Sequence, residues 1–177
     1  PNYNYVFFSD DECVDFLKNN YDNSIYETFN KIYYGAYKAD FFRYCYLYMK
    51  GGIWTDITSV CVEPLDNILD NNPDVDCFLT RDIVSKKRKK CVHGIYNSFM
   101  ISKPKNPILL NLINHIVKEV KKSDNKYLFN ITGPSGFGMI LNKMLGNEKC
   151  EKLEDIIYIG DMKIKFFDNY IPIWDIT

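Results

Sequence analysis

Residues 36–66 read AYKADFFRYCYLYMKGGIWTDITSVCVEPLD, and the stretch divides into three parts with different physics. Residues 36–50 are apolar around most of a helical circumference, the pattern of a buried helix rather than a surface one. Two of the exceptions, Asp40 and Arg43, are three apart and so share one face. Gly51 and Gly52 follow where a residue without Cβ is wanted at the C-terminal turn. Ile53-Trp54-Thr55-Asp56-Ile57 then reads as a strand-like run carrying a carboxylate at its end. A buried helix with an Asp/Arg pair, a double-glycine turn and a strand ending in Asp form a ligand cradle.

Working outward, the same order of residues carries a family likeness. Ala36, Lys38, Ala39, Asp40, Arg43, Tyr44, Leu47, Tyr48, Gly51, Gly52, Ile53, Trp54 and Asp56 match the pattern A-x-K-A-D-x-x-R-Y-x-x-L-Y-x-x-G-G-I-[YW]-x-D-x-D. This resembles the core of the DXD-containing sugar transferases, glycosyltransferase family thirty-two, which includes initiating α-1,6-mannosyltransferases and capsular polysaccharide transferases. A related pattern occurs in the clostridial glucosylating toxins. The last position departs from it, because Asp56-Ile57-Thr58 stands where the family has Asp-x-Asp. A second segment, Asn97 to Pro107, follows the family order N-x-[FI]-x-x-[SA]-K-P-x-x-P. The resemblance implies a GT-A-like, Rossmann-like α/β fold: a mixed central sheet flanked by helices. The resemblance implies an opening strand that supplies part of the nucleotide pocket and does not stand ahead of the motif here. Either the chain starts inside the domain, or it is a minimal version with an incomplete donor site.

The resemblance also implies chemistry. A nucleotide-sugar transferase must hold a diphosphate and stabilise it as it leaves, usually with a divalent ion on oxygen ligands. Asp56 and Thr58 would be the metal ligands for Mn²⁺ or Mg²⁺, with affinity weakened because Thr58 offers a neutral hydroxyl. On an extended chain the two side chains point the same way, and Asp161, Asp168 or Asp175 could supply the missing acid. Asp40 would bind donor hydroxyls, and Arg43 would meet sugar or phosphate with its planar fork. Without a ligand the two make a simple i,i+3 ion pair. Tyr44, Gly52, Asn97, Thr132 and Gly133 complete the substrate-binding set, Thr132-Gly133-Pro134 on the acceptor side. Trp54 reads as core rather than a sugar platform. No residue is assignable as a catalytic nucleophile.

Composition fits one glycosyltransferase-like domain over residues 1–177, large enough for a sizeable core. Hydrophobic residues are 46% and charged ones 25%, and the formal net charge is −1. That balance gives no steering toward nucleic acid. The 14 tyrosines fit an AT-rich coding sequence better than sugar stacking. Six cysteines form no C-x-x-C pair, which argues against a zinc site and for reduced core thiols in a cytoplasmic setting. No run is long and apolar enough for a transmembrane segment. The chain opens with Pro1 rather than Met, which leaves room for a leader or anchor ahead of it.

Along the rest of the chain the pattern predicts a strand at 3–8 and helices over 11–20 and 24–32. A helical turn follows Pro64, then strands at 75–80 and 94–102. A stripe of Ile108, Leu109, Leu112, Ile113, Ile116, Val117 and Val120 predicts a helix over 107–122. Residues 130–138 read as a Gly-rich loop that either presents N–H groups to a phosphate or caps a helix over 137–145. Short strands close the chain. The basic run at 86–90 is read as a solvated loop, with an anionic contact as the alternative. His93 and His115 have no partner in sequence.

Two function classes follow. The first is a retaining, metal-assisted transferase moving a hexose from a UDP- or GDP-sugar to a glycan, protein or other hydroxyl acceptor. The second is a catalytically impaired binding or structural protein of the same descent.

Overall fold

The computed structural model describes residues 3–61, 64–82, 94–122, 128–147, 153–167 and 174–176. The basic run, Cys91, His93, Cys150 and Asp168 lie outside the described residues. Helix α1 (Asp10–Asn20) starts at a capping box in which Ser9 and Glu12 exchange side-chain-to-backbone bonds, satisfying N–H groups that the first turn leaves orphaned. Helix α2 (Asn23–Lys31) is capped by Asp22. Helix α3 (Gly35–Lys50) follows and ends at Gly51, whose φ is 66°. A Cβ there would sit 2.7 Å from Pro104 Cδ and 2.8 Å from Ser102 O. The glycine therefore serves both a left-handed turn and a close backbone approach.

Strand β1 (Gly52–Thr55) leads to a turn, strand β2 (Ser59–Cys61), the short helix α4 (Asp66–Asp70) and strand β3 (Cys77–Arg81). Strand β4 (Ile95–Ser102), helix α5 (Pro107–Lys122), helix α6 (Phe129–Thr132) and helix α7 (Pro134–Met144) follow. Strands β5 (Ile156–Ile159), β6 (Met162–Phe167) and β7 (Trp174–Ile176) complete the described chain. The main sheet has the order β1-β4-β3-β6-β5, and β2 pairs with β7 in a separate two-stranded sheet. β3 and β6 are parallel, while the other pairs are antiparallel. A mixed sheet flanked by helices is consistent with a GT-A-like fold.

Alternation along β3 and β4 divides the core between the sheet's two faces. Cys77, Leu79, Met100, Ile164 and Phe166 join the cluster with α3, α5 and α7. Phe78, Phe99 and Ile101 pack with Ile68 of α4 in a second cluster. The helix predicted over 107–122 is α5, and its apolar stripe is buried except for half-buried Val117.

Three expectations are corrected. Residues 3–8 are not a strand: no described strand pairs with them, and Tyr5 and Phe7 are exposed while Phe8 packs on Phe16, Phe42 and Tyr46. Aromatic alternation favours a strand only where a partner edge takes up its backbone groups. The 130–138 region is helical on both sides of Gly133, and α7 begins at Pro134 rather than near 137. Proline's fixed φ suits the first helical position. Residues 56–58 are not extended, because Ser59 N–H bonds Asp56 O at 3.0 Å and closes a turn. The two-residue alternation that would align Asp56 with Thr58 therefore does not apply.

Candidate functional site

The buried face of α3 and the end of β1 meet at Arg43. Its side chain is 4% exposed, and Nη2 lies 2.9 Å from Asp56 Oδ1 and 3.4 Å from Asp40 Oδ1. Nη1 donates to the backbone carbonyl of Asn97 on β4. The guanidinium carbon stands 5.5 Å from the ring of Trp54, within cation–π range. Arg43 Nε is buried without a hydrogen-bond partner. One cation thus faces two carboxylates.

Asp56 sits just beyond β1, its N–H still bonded to Ser98 O at 2.9 Å. Oδ1 also accepts from Trp54 Nε1 at 3.1 Å. The Asp56 side chain is 31% exposed against 13% for Asp40, so Asp56 is the solvent-facing end of the cluster. Trp54 was expected in the core; it is half-buried, packs on Phe42 and orients both Asp56 and Arg43. The signal available for this was the W-x-D spacing, which sets both residues on one side of an extended chain.

Behind Asp40 the cluster continues into the protein. Asn97 Nδ2 donates to Asp40 Oδ1 at 2.9 Å and to Tyr44 Oη at 2.7 Å. Thr132 Oγ1 donates to Asp40 Oδ2 at 3.1 Å, and Tyr44 Oη donates to Thr132 O at 2.7 Å. Burial pushes the Asp40 carboxyl up to about 6, although Arg43, Asn97 and Thr132 each pull it down. Burial likewise holds the Tyr44 phenol far above its usual range, which keeps it a donor.

The structure thus joins Asp40, Arg43, Tyr44, Asp56, Asn97 and Thr132 in one network. Gly133 lies beside it as the buried N-cap of α7. Gly52 lies apart, on the wall of a cavity of about 390 Å³. That cavity runs between residues 4–8, the start of α3 and β1, with Lys38, Ala39, Trp54 and Thr55 on its lining. Ala39 and Thr55 are the chain neighbours of Asp40 and Asp56, so the cavity abuts the charged cluster. Trp54 is the shared wall.

Thr58 is exposed in the turn after Asp56. Among the described residues no three His, Cys, Asp or Glu are grouped to hold a metal ion. Asp161 lies in the turn before β6, and β6 is three strands from β1, roughly 14 Å across the sheet. Asp175 is different, because its backbone pairs with Val60 on β2, just past the Asp56 turn. Of the residues expected to hold a metal, Asp56 brings a carboxylate and Thr58 a hydroxyl in the turn beyond it. Such a pair fits a hard ion that keeps waters and takes its remaining oxygens from substrate phosphates, not a closed protein cage.

Comparison with known proteins agrees with the likeness of residues 36–56. Residues 1–75 match the family described as the glycosyltransferase sugar-binding region containing a DXD motif. An uncharacterized glycosyltransferase of Acanthamoeba polyphaga mimivirus is 29% identical over 131 residues, 74% of this chain and 48% of that protein. A mannosyl phosphorylinositol ceramide synthase of Saccharomyces cerevisiae is 31% identical over 136 residues, 77% of this chain and 32% of the synthase. The initiation-specific alpha-1,6-mannosyltransferase of the same yeast is 35% identical over 69 residues, 38% of this chain and 14% of that enzyme. The chain spans less than half the length of each of these relatives. Residues 1–75, which carry Asp40, Arg43 and Asp56, are thus similar to the sugar-binding region of the DXD-motif glycosyltransferases.

Proposed function

We propose that this chain, built around a DXD-family sugar-binding region, transfers a hexose from a UDP- or GDP-sugar to a hydroxyl of a glycan, protein or lipid-linked acceptor, with retention of configuration. The observation that carries this reading is the Asp40–Arg43–Asp56 cluster beside a cavity of about 390 Å³. Ligand cavities commonly run from about 300 to 1,000 Å³. In this reading the nucleoside lies in the cavity, between residues 4–8 and Trp54. The sugar hydroxyls meet Asp40, and Asp56 with Arg43 frames the diphosphate end. The relatives named as mannosyltransferases and as a mannosyl phosphorylinositol ceramide synthase favour mannose as the hexose.

Asp56 and Thr58 would hold Mn²⁺ or Mg²⁺ together with the donor's phosphates. When bound, such an ion supplies charge neutralisation on the departing diphosphate. The chain's own residues do the rest. Asp40 and Asn97 orient the sugar, Trp54 walls off water on one side, and Arg43 fixes both carboxylates. A rigid first layer of this kind places the reacting carbon without reorganisation at the moment of transfer.

The second reading, a binding protein of the same descent, is favoured by Thr58 standing in an exposed turn where the family has its second acid. One experiment separates the two. UDP-glucose, UDP-N-acetylglucosamine, GDP-mannose and GDP-fucose are titrated calorimetrically with Mn²⁺, and hydrolysis is followed in parallel. Turnover of one donor, lost in Asp40→Asn, supports the transferase; binding without turnover supports the second reading. No binding of any donor refutes both.

A further inference from the structure

Tyr44 and Thr132 belong to the cluster but do not face a ligand. Both are 0% exposed, and they meet each other behind Asp40. Their hydrogen bonds form a directed chain. Tyr44 Oη spends its proton on Thr132 O at 2.7 Å, so toward Asn97 it can only accept. Asn97 Nδ2 therefore points at two acceptors, Tyr44 Oη and Asp40 Oδ1, and the amide has one satisfied orientation. Thr132 Oγ1 takes the other carboxylate oxygen of Asp40 at 3.1 Å. The same hydroxyl lies 3.2 Å from Leu128 O, and the bond to a carboxylate is the stronger of the two.

Thr132 is the last residue of α6 and closes its single turn, directly ahead of α7. Its N–H bonds Leu128 O at 2.8 Å. A Cβ on Gly136 would fall 2.2 Å from Ile131 O, so α7 packs against the α6 backbone with no space for a larger residue.

We propose that Tyr44 and Thr132 are positioning residues that fix the Asp40 carboxylate, directly and through Asn97, so that the α6–α7 junction sets the geometry of the ligand-facing acid. Its consequence for turnover rests on the transferase reading, whereas the geometry does not. Among the described residues, the other charged and titratable groups facing Asp40 are Arg43 and Tyr44 on its own helix and Asp56 beyond β1.

The test uses Thr132→Val, which keeps shape and removes the hydroxyl, with Thr132→Ser as the conservative rescue and Tyr44→Phe as an independent break. The first readout is the carboxyl carbon of Asp40, followed by NMR against pH in the full chain. Losing a donor to the charged form raises the midpoint. Thr132→Val is expected to move it upward from about 6, Thr132→Ser to restore it, and Tyr44→Phe to shift it the same way by freeing Asn97. A midpoint unchanged in both Thr132→Val and Tyr44→Phe overturns the proposal, with or without turnover. If Thr132→Val does not fold, Tyr44→Phe decides by the same criterion.

The second readout is donor turnover with the sugar nucleotide that wild type accepts. There Thr132→Val is expected to lower kcat/KM by about ten- to a hundredfold, the worth of one hydrogen bond to a charged group, with Thr132→Ser close to wild type. Equal loss in the valine and serine variants contradicts positioning. A wild type that binds no donor removes the transferase reading, and the carboxyl titration still decides this one.

Discussion

Asp40 is a buried acid whose ionisation works against the fold, and this can be measured. Its carboxyl titrates at about 6 in the folded protein against 3.8 when unperturbed. At roughly 1.4 kcal/mol per pH unit the difference is worth about 3 kcal/mol. The sign follows from proton binding. Between the two values the folded chain holds a proton that the unfolded chain has released, so stability falls as pH rises. The contribution of Asp40 is therefore fully present below pH 3.8 and lost as pH rises through about 6. Asp40→Asn removes this dependence while keeping an oxygen for Asn97 and turning an amide N–H toward Thr132 Oγ1, which can donate to Leu128 O instead. Urea unfolding of both proteins from pH 4 to pH 8 isolates the effect, since every other titrating group enters both curves. The variant should gain about 2 kcal/mol on wild type across that range, most of the full difference and a large fraction of an ordinary domain's stability. A flat difference would show that Arg43 and the hydrogen bonds cancel desolvation, one with the opposite slope that they outweigh it, and either way the reasoning would fail.

Two further outcomes follow from the same geometry. Thr58→Asp should tighten Mn²⁺ binding by about tenfold or more in calorimetry, because a second carboxylate raises ligand charge at the Asp56 turn; unchanged affinity would remove this turn from any metal site. Gly51→Ala should cost about 2 kcal/mol or more, from a strained positive φ and a Cβ driven into Pro104 and Ser102, or about 4–8 °C in Tm for a chain of this size. A Tm within a degree of wild type would contradict that packing.

Where the sequence carried strong periodicity, it was legible to the residue. The apolar stripe of α5 announces a helix because a 3.6-residue repeat has few other homes. Helix α3, apolar around most of its circumference, was bounded instead by the double glycine and starts one residue before the predicted 36. The motif named Asp40, Arg43 and Asp56, and each lies on or beside a regular element whose direction the pattern fixes. Residues 3–8 misled because a strand depends on a partner edge, and pairing is non-local. The Asp56–Ser59 turn misled because an Asp-x-Thr triplet carries no Gly or Pro to mark it. Depth within the polar cluster was not legible. Tyr44 stands next to Arg43 in the chain, yet only packing against Asn97 and Thr132 shows that it faces away from the ligand side.

The charge balance around Arg43 leads to a last prediction. One guanidinium already serves two carboxylates, at 2.9 and 3.4 Å, so it has little left for an incoming diphosphate. A donor bringing more negative charge needs another cation, and the neighbouring α3 residue on the cavity wall is Lys38, whose Nζ rests 5.0 Å from the Phe29 ring. That ring contact is weak at a partly exposed position, of order 1 kcal/mol, so an ammonium on a flexible stem can leave it for a phosphate. Lys38→Met keeps the stem and removes the charge. It should weaken UDP or GDP binding by about three- to tenfold at low salt, with the gap to wild type narrowing as ionic strength rises and screening removes what the lysine contributed. Fold stability should change little, since a methionine still covers Phe29. Equal affinity at low salt would clear Lys38 of any part in binding the diphosphate. A loss that persists at high salt would mean that shape at the cavity wall, not charge, had been disturbed.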